Sequence, residues 1–301
     1  MKKIILLIIA ITIFSCKKEE KKHDVLPNKE EINKAETETP DDVSKKQETV
    51  PDSNSNLLGF YVGAFITSSY EDVHKKKGSY HNRINISVDR IQNDSLYGHS
   101  VVAGNSRPFK GSFDKVTLFA KVTEPGDDKY DGVFEFTLYP EKNKIKGVWI
   151  ANNNQLAVPK RKYDLDKKEF EYNAGLNLHF DEEYDYNLSL HNSQDEENGE
   201  FESIDPSIIS KLNASSQELT NQDVENLNKG ELEILRNLIY ARHGYSFKNR
   251  KMRYFFDSAI DWYIPVSTDV RKELTSLENK NIELIKRYEQ HAKRYYDYFG
   301  R

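Results

Sequence analysis

Val133-Phe134-Glu135-Phe136-Thr137-Leu138 places an apolar residue at every second position from Phe134 onward, with Glu135 and Thr137 between them. A period of two belongs to a strand with one buried and one wet face. The next segment, Lys144 to Ile150, follows the polar turn Pro140-Glu141-Lys142-Asn143. Upstream, the same signal recurs in Leu58 to Phe65, in Arg83 to Ile91 with Ile84, Ile86 and Val88, in Ser95 to Val102 after Gln92-Asn93-Asp94, and in Val116 to Val122. Six to eight such strands over roughly 115 residues predict an antiparallel meander curled into a small barrel. Sequential hairpins, Gly59 and Gly63 in the first strand and Gly147-Val148-Trp149 later resemble lipocalin and avidin-type barrels in architecture. Those residues are expected to be barrel corners and core filler. His74, His81 and His99 lack metal-ligand spacing and are expected at the surface.

Past Ile208 the period becomes helical, so the expected fold is α+β: an antiparallel β domain over 57–192, an acidic linker over 193–214, and an all-helical domain over 215–301. Glu169 to Ser210 contains no Lys or Arg and many carboxylates. It lacks the Asp-x-Asp-x-Asp-Gly frame of a calcium loop and reads as a solvated acidic edge. Tyr184, Tyr186, Leu188 and Leu190 alternate within it and predict one more strand. Asn228-Lys229-Gly230-Glu231 is a capping box that opens a helix with Leu232, Leu235, Leu238 and Ile239 on one face. Gly244 ends it, with Arg242 and His243 in the last turn where positive charge offsets the helix dipole. A second capping box, Thr275 with Glu278, starts a final helix carrying Ile282, Ile285, Tyr288, Ala292, Tyr295 and Phe299.

The string Arg236-Asn237-Leu238-Ile239-Tyr240-Ala241-Arg242-His243-Gly244-Tyr245-Ser246-Phe247, with Trp262-Tyr263 and Glu278-Asn279-Lys280-Asn281-Ile282, closely resembles the YARHG domain over about 215–290. The resemblance implies a small helical module of exported bacterial proteins with no established catalysis. On this reading Arg236 and Gly244 are structural, and Arg236 meets a carboxylate. Arg242-His243-Gly244 also matches the RHG motif of histidine phosphatases, but it ends a helix here, where a phosphate is repelled by the dipole. The expectation is a non-catalytic protein without metal or cofactor. Candidate binding residues are Tyr240, Arg242, His243, Trp262 and Tyr263, together with the cations Lys248, Arg250, Lys251 and Arg253 beside Tyr254. An anionic envelope polymer or a peptide is the expected partner of that surface. The alternative is a small-ligand carrier working through the barrel, with the helical module docked on it.

The amino end fixes the expected location. Lys2 and Lys3 precede an apolar run from Ile4 to Phe14 and then Ser15-Cys16. That run is shorter than the ~20 residues needed to cross a bilayer, so residues 1–15 read as a lipoprotein signal peptide with Cys16 lipidated. Residues 16–56 hold no aromatic and no glycine but carry Pro27, Pro40 and Pro51. They form a charged tether of roughly 35 Å r.m.s. reach. Its Lys17-Lys18-Glu19-Glu20-Lys21-Lys22 resembles the charged stretch behind the lipid in surface-exported bacterial lipoproteins. The protein is therefore expected in the cell envelope, anchored to a membrane. Cys16 is the single cysteine, so disulfides are excluded. The net charge of -5, more negative still without Lys2 and Lys3, argues against nucleic acid as a partner.

Overall fold

A computed structural model describes residues 55–67, 81–178, 188–194, 201–204 and 206–295. Cys16, the expected signal peptide, the expected tether up to residue 54, His74, Tyr184, Tyr186 and Phe299 lie outside the described residues.

Eight strands run in sequence order: β1 (Gly59–Thr67), β2 (His81–Gln92), β3 (Ser95–Val102), β4 (Asn105–Asp114), β5 (Phe119–Thr123), β6 (Gly132–Tyr139), β7 (Lys144–Ala151) and β8 (Lys160–Lys168). Each pairs antiparallel with the next, and β1 also pairs with β8, from Phe60 opposite Lys168 to Thr67 opposite Arg161. That last pairing closes the barrel and leaves no free sheet edge. Alternation decides which side chains fill it: Phe134, Phe136 and Leu138 of β6 are buried while Val133, Glu135 and Thr137 are half-exposed.

Two strands stand beyond the six expected segments. β4 contains Pro108 and Gly111, both poor strand formers, yet its pairing with β5 begins only at Lys110, so Pro108 has a strand neighbour on one side alone. β8 is dense in charge, but Arg161, Tyr163 and Leu165 point inward at period two. The alternation of β2 slips by one residue at a bulge between Val88 and Arg90, which turns Ile91 inward after Ile84, Ile86 and Val88. The expected turns stand where the polar residues put them, Asn93 and Asn143 both adopting left-handed backbone.

One end of the barrel is sealed. Leu57, Ile91, Leu96, Phe113, Leu138, Ile145 and Leu165 fill it, and the Tyr61 hydroxyl donates to the Leu57 carbonyl at 2.9 Å. Burial pushes that phenol up to about 12, so it remains a donor at physiological pH.

A two-stranded ribbon of β9 (Leu188–Gln194) and β10 (Phe201–Ile204) follows, then α1 (Pro206–Ile209), α2 (Asn221–Val224), α3 (Lys229–Arg242), α4 (Arg250–Ala259) and α5 (Ser276–Tyr295). The span expected to be a linker, 193–214, thus contains β10 and α1. Asn228 caps α3 as the sequence predicts: its side chain accepts from the Glu231 amide, and Glu231 Oε2 accepts from the Asn228 amide, both at 2.9 Å. Thr275 and Glu278 repeat the box on α5. Leu235, Leu238 and Ile239 of α3 share a dry core with Phe255 and Phe256 of α4 and Ile282 and Ile285 of α5.

Barrel and helices belong to one compact unit, Val50–Arg301. The outer face of β2 is the junction. The Arg83 amide donates to Asp257 Oδ2 at 2.9 Å, and its guanidinium Nη1 donates to the carbonyls of Ile260 and Tyr263 at 2.5 and 2.7 Å. Asn85 Nδ2 reaches the Pro265 carbonyl, and the Gly104 amide reaches Ser246 Oγ, both at 3.0 Å. Gly104 has φ +73°, and a Cβ there would stand 2.6 Å from Lys248 Cβ, so the β3–β4 turn needs glycine to meet the segment before α4. Asn85 and Ser87 are buried for the same reason: β2 has protein on both faces.

Candidate functional site

The unsealed end of the barrel holds the larger of two candidate sites. Continuing the inward period of β5 past Ala120 and Val122 gives Glu124, and continuing that of β3 past Leu96 and Gly98 gives Ser100. β8 contributes Arg161 to the same end. The register places Phe134 beside Trp149, and Trp149 beside Arg161, as direct cross-strand neighbours. Phe65, Phe134 and Trp149 form an aromatic floor, with Phe65 and Trp149 edge to face at 5.8 Å. Above it opens a cavity of about 580 Å³, lined also by Arg107, Leu156 and Ala157 and, from the helical part, by Lys248 and Arg253. This volume falls in the range of small-molecule sites.

Charge in the cavity is unevenly matched. Glu124 spends both oxygens within the fold: Oε1 accepts from Ser100 Oγ at 3.1 Å, and Oε2 accepts from the Gly132 amide at 2.8 Å and Trp149 Nε1 at 3.1 Å. Burial raises its pKa against those donors. Arg107 is paired with buried Asp131 at 3.1 Å and with Asp128 at 3.5 Å. Arg161 donates to the Phe65 carbonyl at 2.8 Å and lies 5.1 Å over the Phe65 ring. Its pKa is pushed down to about 10, by burial first and by the charge of Arg253 second. Arg253 donates to the Lys248 carbonyl at 3.2 Å. Cations from β8 and from α4 thus face one cavity.

The second constellation lies at the end of α3. Arg242 is 1% exposed. Its Nε donates to the Leu176 carbonyl at 2.6 Å, Nη1 to Ser215 Oγ at 3.2 Å and Nη2 to Asn177 Oδ1 at 3.4 Å. His243 Nε2 meets Glu278 Oε2 at 2.8 Å, and Tyr172 stacks on the imidazole at 4.2 Å while its hydroxyl donates to Glu278 Oε1 at 3.0 Å. Gly244 has φ +71°, and a Cβ would stand 2.3 Å from Val266 and 2.9 Å from the Phe170 ring. Trp262 Nε1 donates to the Asn177 carbonyl at 2.8 Å. Every one of these contacts is with the chain itself, and most grip the segment from Phe170 to Asn177 that leaves β8.

Residues 207–290 match the YARHG domain. No curated protein and no solved structure matches the chain.

The YARHG domain extends the likeness from 215 back to 207 and takes in the last residues of α1. Its motif does structural work. Of the expected binding residues, Arg242, His243 and Tyr263 are buried and bond to the fold: Tyr263 is 1% exposed and donates its hydroxyl to the Tyr245 carbonyl at 2.7 Å. Trp262 is likewise engaged with the segment after β8. The expected basic patch divides, since Lys248 and Arg253 face the barrel cavity while Arg250 is exposed and Lys251 half-buried outside it. Arg236 pairs with Glu289 at 2.7 Å, the carboxylate its structural role called for. Tyr240 lines a separate cleft of about 420 Å³ with Arg236, Asn237, Tyr245 and Arg271. Of the histidines expected at the surface, His81 and His99 are both half-buried, and His99 pairs with Asp89 at 2.8 Å. Among the described residues no group of three His, Cys, Asp or Glu could hold a metal ion.

Phe65, Glu124, Phe134, Trp149 and Arg161 had a signal in the sequence that went unused. A charged side chain at inward parity, as Glu124 after Ala120 and Val122 or Arg161 before Tyr163 and Leu165, marks where a barrel interior stops being core.

Proposed function

We propose that this chain is a lipid-anchored, non-catalytic binding protein of the bacterial cell envelope that holds a small ligand at the barrel mouth, with the YARHG domain as the wall of that site. The observation that carries the reading is the cavity over the Phe65, Phe134 and Trp149 floor, which takes lining from both the barrel and α4. A filled barrel with no mouth would have offered a scaffold alone. Here the helical domain is docked through Arg83, Asn85 and Asp257 so that Lys248 and Arg253 complete the opening.

Native mass spectrometry of the protein taken from its own cells tests this. A small molecule should accompany the wild-type chain and be lost from Ala157→Trp, in which a bulky ring enters the cavity from a half-exposed loop. Retention in that variant places the ligand elsewhere. The anchor is tested separately: Cys16→Ala should leave the membrane fraction and lose the acyl mass of the wild type.

A second reading, scaffolding on an envelope polymer or peptide, is favoured by the cleft on the YARHG domain with Tyr240 and Tyr245 in its wall. Pull-down on purified cell walls with and without Tyr240→Ala separates the two.

A further inference from the structure

We propose that the barrel-mouth cavity takes an amphiphilic small anion: an apolar or aromatic body against Phe65, Phe134 and Trp149, and one acidic head group toward Lys248 and Arg253. This rests on the binding reading above and names the class of ligand. Three observations carry it.

The first is the division of the lining. Three rings make the deep surface, and they are packed on one another and on the Phe109 ring, so they form a rigid apolar platform. Exposed Lys248 and half-buried Arg253 line the cavity from a different part of the chain. A ligand that satisfies both must be apolar at one end and charged at the other.

The second is the sign of the charge. Glu124 is the acidic residue of the lining, and its oxygens are already taken by Ser100, Gly132 and Trp149. It therefore shapes the floor and offers little to a cation. Asp128 and Asp131 compensate Arg107, and the Asp257 carboxyl near Arg253 is pushed toward its neutral form by burial. Lys248 is exposed, and its backbone carbonyl accepts from Arg253, which brings the two cationic side chains to one edge of the opening.

The third is the convergence of cations from two parts of the chain on one cavity. Arg161 lines the same cavity as Lys248 and Arg253, and after burial the charge of Arg253 helps push its pKa down. Fixed like charges converging on a cavity favour an anion between them, because its entry relieves the repulsion.

The test uses two fluorescent probes with nearly the same aromatic body and different charge, 8-anilino-1-naphthalenesulfonate and neutral N-phenyl-1-naphthylamine, titrated into the mature chain, residues 16–301. The sulfonate probe should bind at one site, lost in Ala157→Trp, and about tenfold more tightly than the neutral one. Lys248→Glu changes an exposed side chain that the fold does not need, and should weaken the sulfonate probe about five- to tenfold while leaving the neutral probe unchanged. Lys248→Gln should fall between. Equal binding of both probes, blocked by Ala157→Trp but indifferent to Lys248, overturns the anion assignment and leaves the binding reading intact. Binding of neither probe in a manner sensitive to Ala157→Trp overturns both.

Discussion

His243 Nε2 and Glu278 Oε2 stand 2.8 Å apart and tie the C-terminus of α3 to the N-terminus of α5. The Glu278 carboxylate favours the helix end it occupies, an N-terminus. Glu278 also accepts from the Thr275 amide and from Tyr172, so one carboxylate joins two helices and the segment after β8.

Burial works to raise the pKa of Glu278, but the hydrogen bonds from His243, the Thr275 amide and Ser215 overcome it and hold the carboxyl at about 2. A depressed acid contributes stability that is full above its ordinary value of 4.5 and is lost as pH falls toward 2. Glu278→Gln should cost about 2–3 kcal/mol at pH 7 by denaturant titration, and the difference from wild type should shrink across that acid window. A gap that stays constant from pH 6 to pH 2 would assign the effect to packing.

Arg242→Ala removes the donors of three acceptors on the fold, the Leu176 carbonyl, Asn177 Oδ1 and Ser215 Oγ. A loss of about 3–5 kcal/mol is expected, with faster protease cleavage between Tyr172 and Asn177. Arg242→Lys should not rescue it, because one ammonium does not span the same fork. Wild-type protection in the Lys variant would show that charge alone suffices.

Asp257 is buried at the junction with β2, and burial pushes its carboxyl up to about 7 against the donors and charges of Arg83 and Arg253. For a raised acid the folded state holds the extra proton, so the contribution of Asp257 to stability is greatest below its ordinary 3.8 and is lost as pH rises from there through 7. Asp257→Asn keeps an acceptor for the Arg83 amide and removes the titration. Its stability relative to wild type should therefore improve from pH 4 to pH 8, by an amount on the order of 4 kcal/mol at most. Thermal melts at both pH values check the slope, and a flat difference contradicts it.

Gly244→Ala puts a Cβ at φ +71° and within 2.3 Å of Val266. Strain and overlap together should cost about 2–4 kcal/mol, with the protein still folded but melting earlier. If the Ala variant melts with the wild type, the turn after α3 tolerates rearrangement.

The helices were the most legible part. Asn228 with Glu231, and Thr275 with Glu278, are local signals whose meaning does not depend on distant chain, and both boxes form with the bonds the sequence implied. Ile84, Ile86 and Val88 announced β2 in the same way. β4 and β8 were harder: Pro108 and Gly111 weaken one local pattern, and the charges of Lys160–Lys168 mask the other, although pairing with both neighbours makes each a strand. Arg242 and His243 stand among the binding residues expected from the sequence. Only the segment from Phe170 to Asn177, brought over them by the fold, shows what they bind.

Periodicity and capping chemistry, written within ten or so residues, determined the kinds of element and their order, and the string from Arg236 to Phe247 carried the likeness to the YARHG domain. Closure of β1 on β8, burial of both faces of β2, and the meeting of Phe65, Trp149 and Arg161 with Lys248 and Arg253 were decided by tertiary structure alone. The reason is that a strand's period tells which side chains face inward, whereas the depth at which that interior changes from core to cavity depends on register with strands far away in the chain.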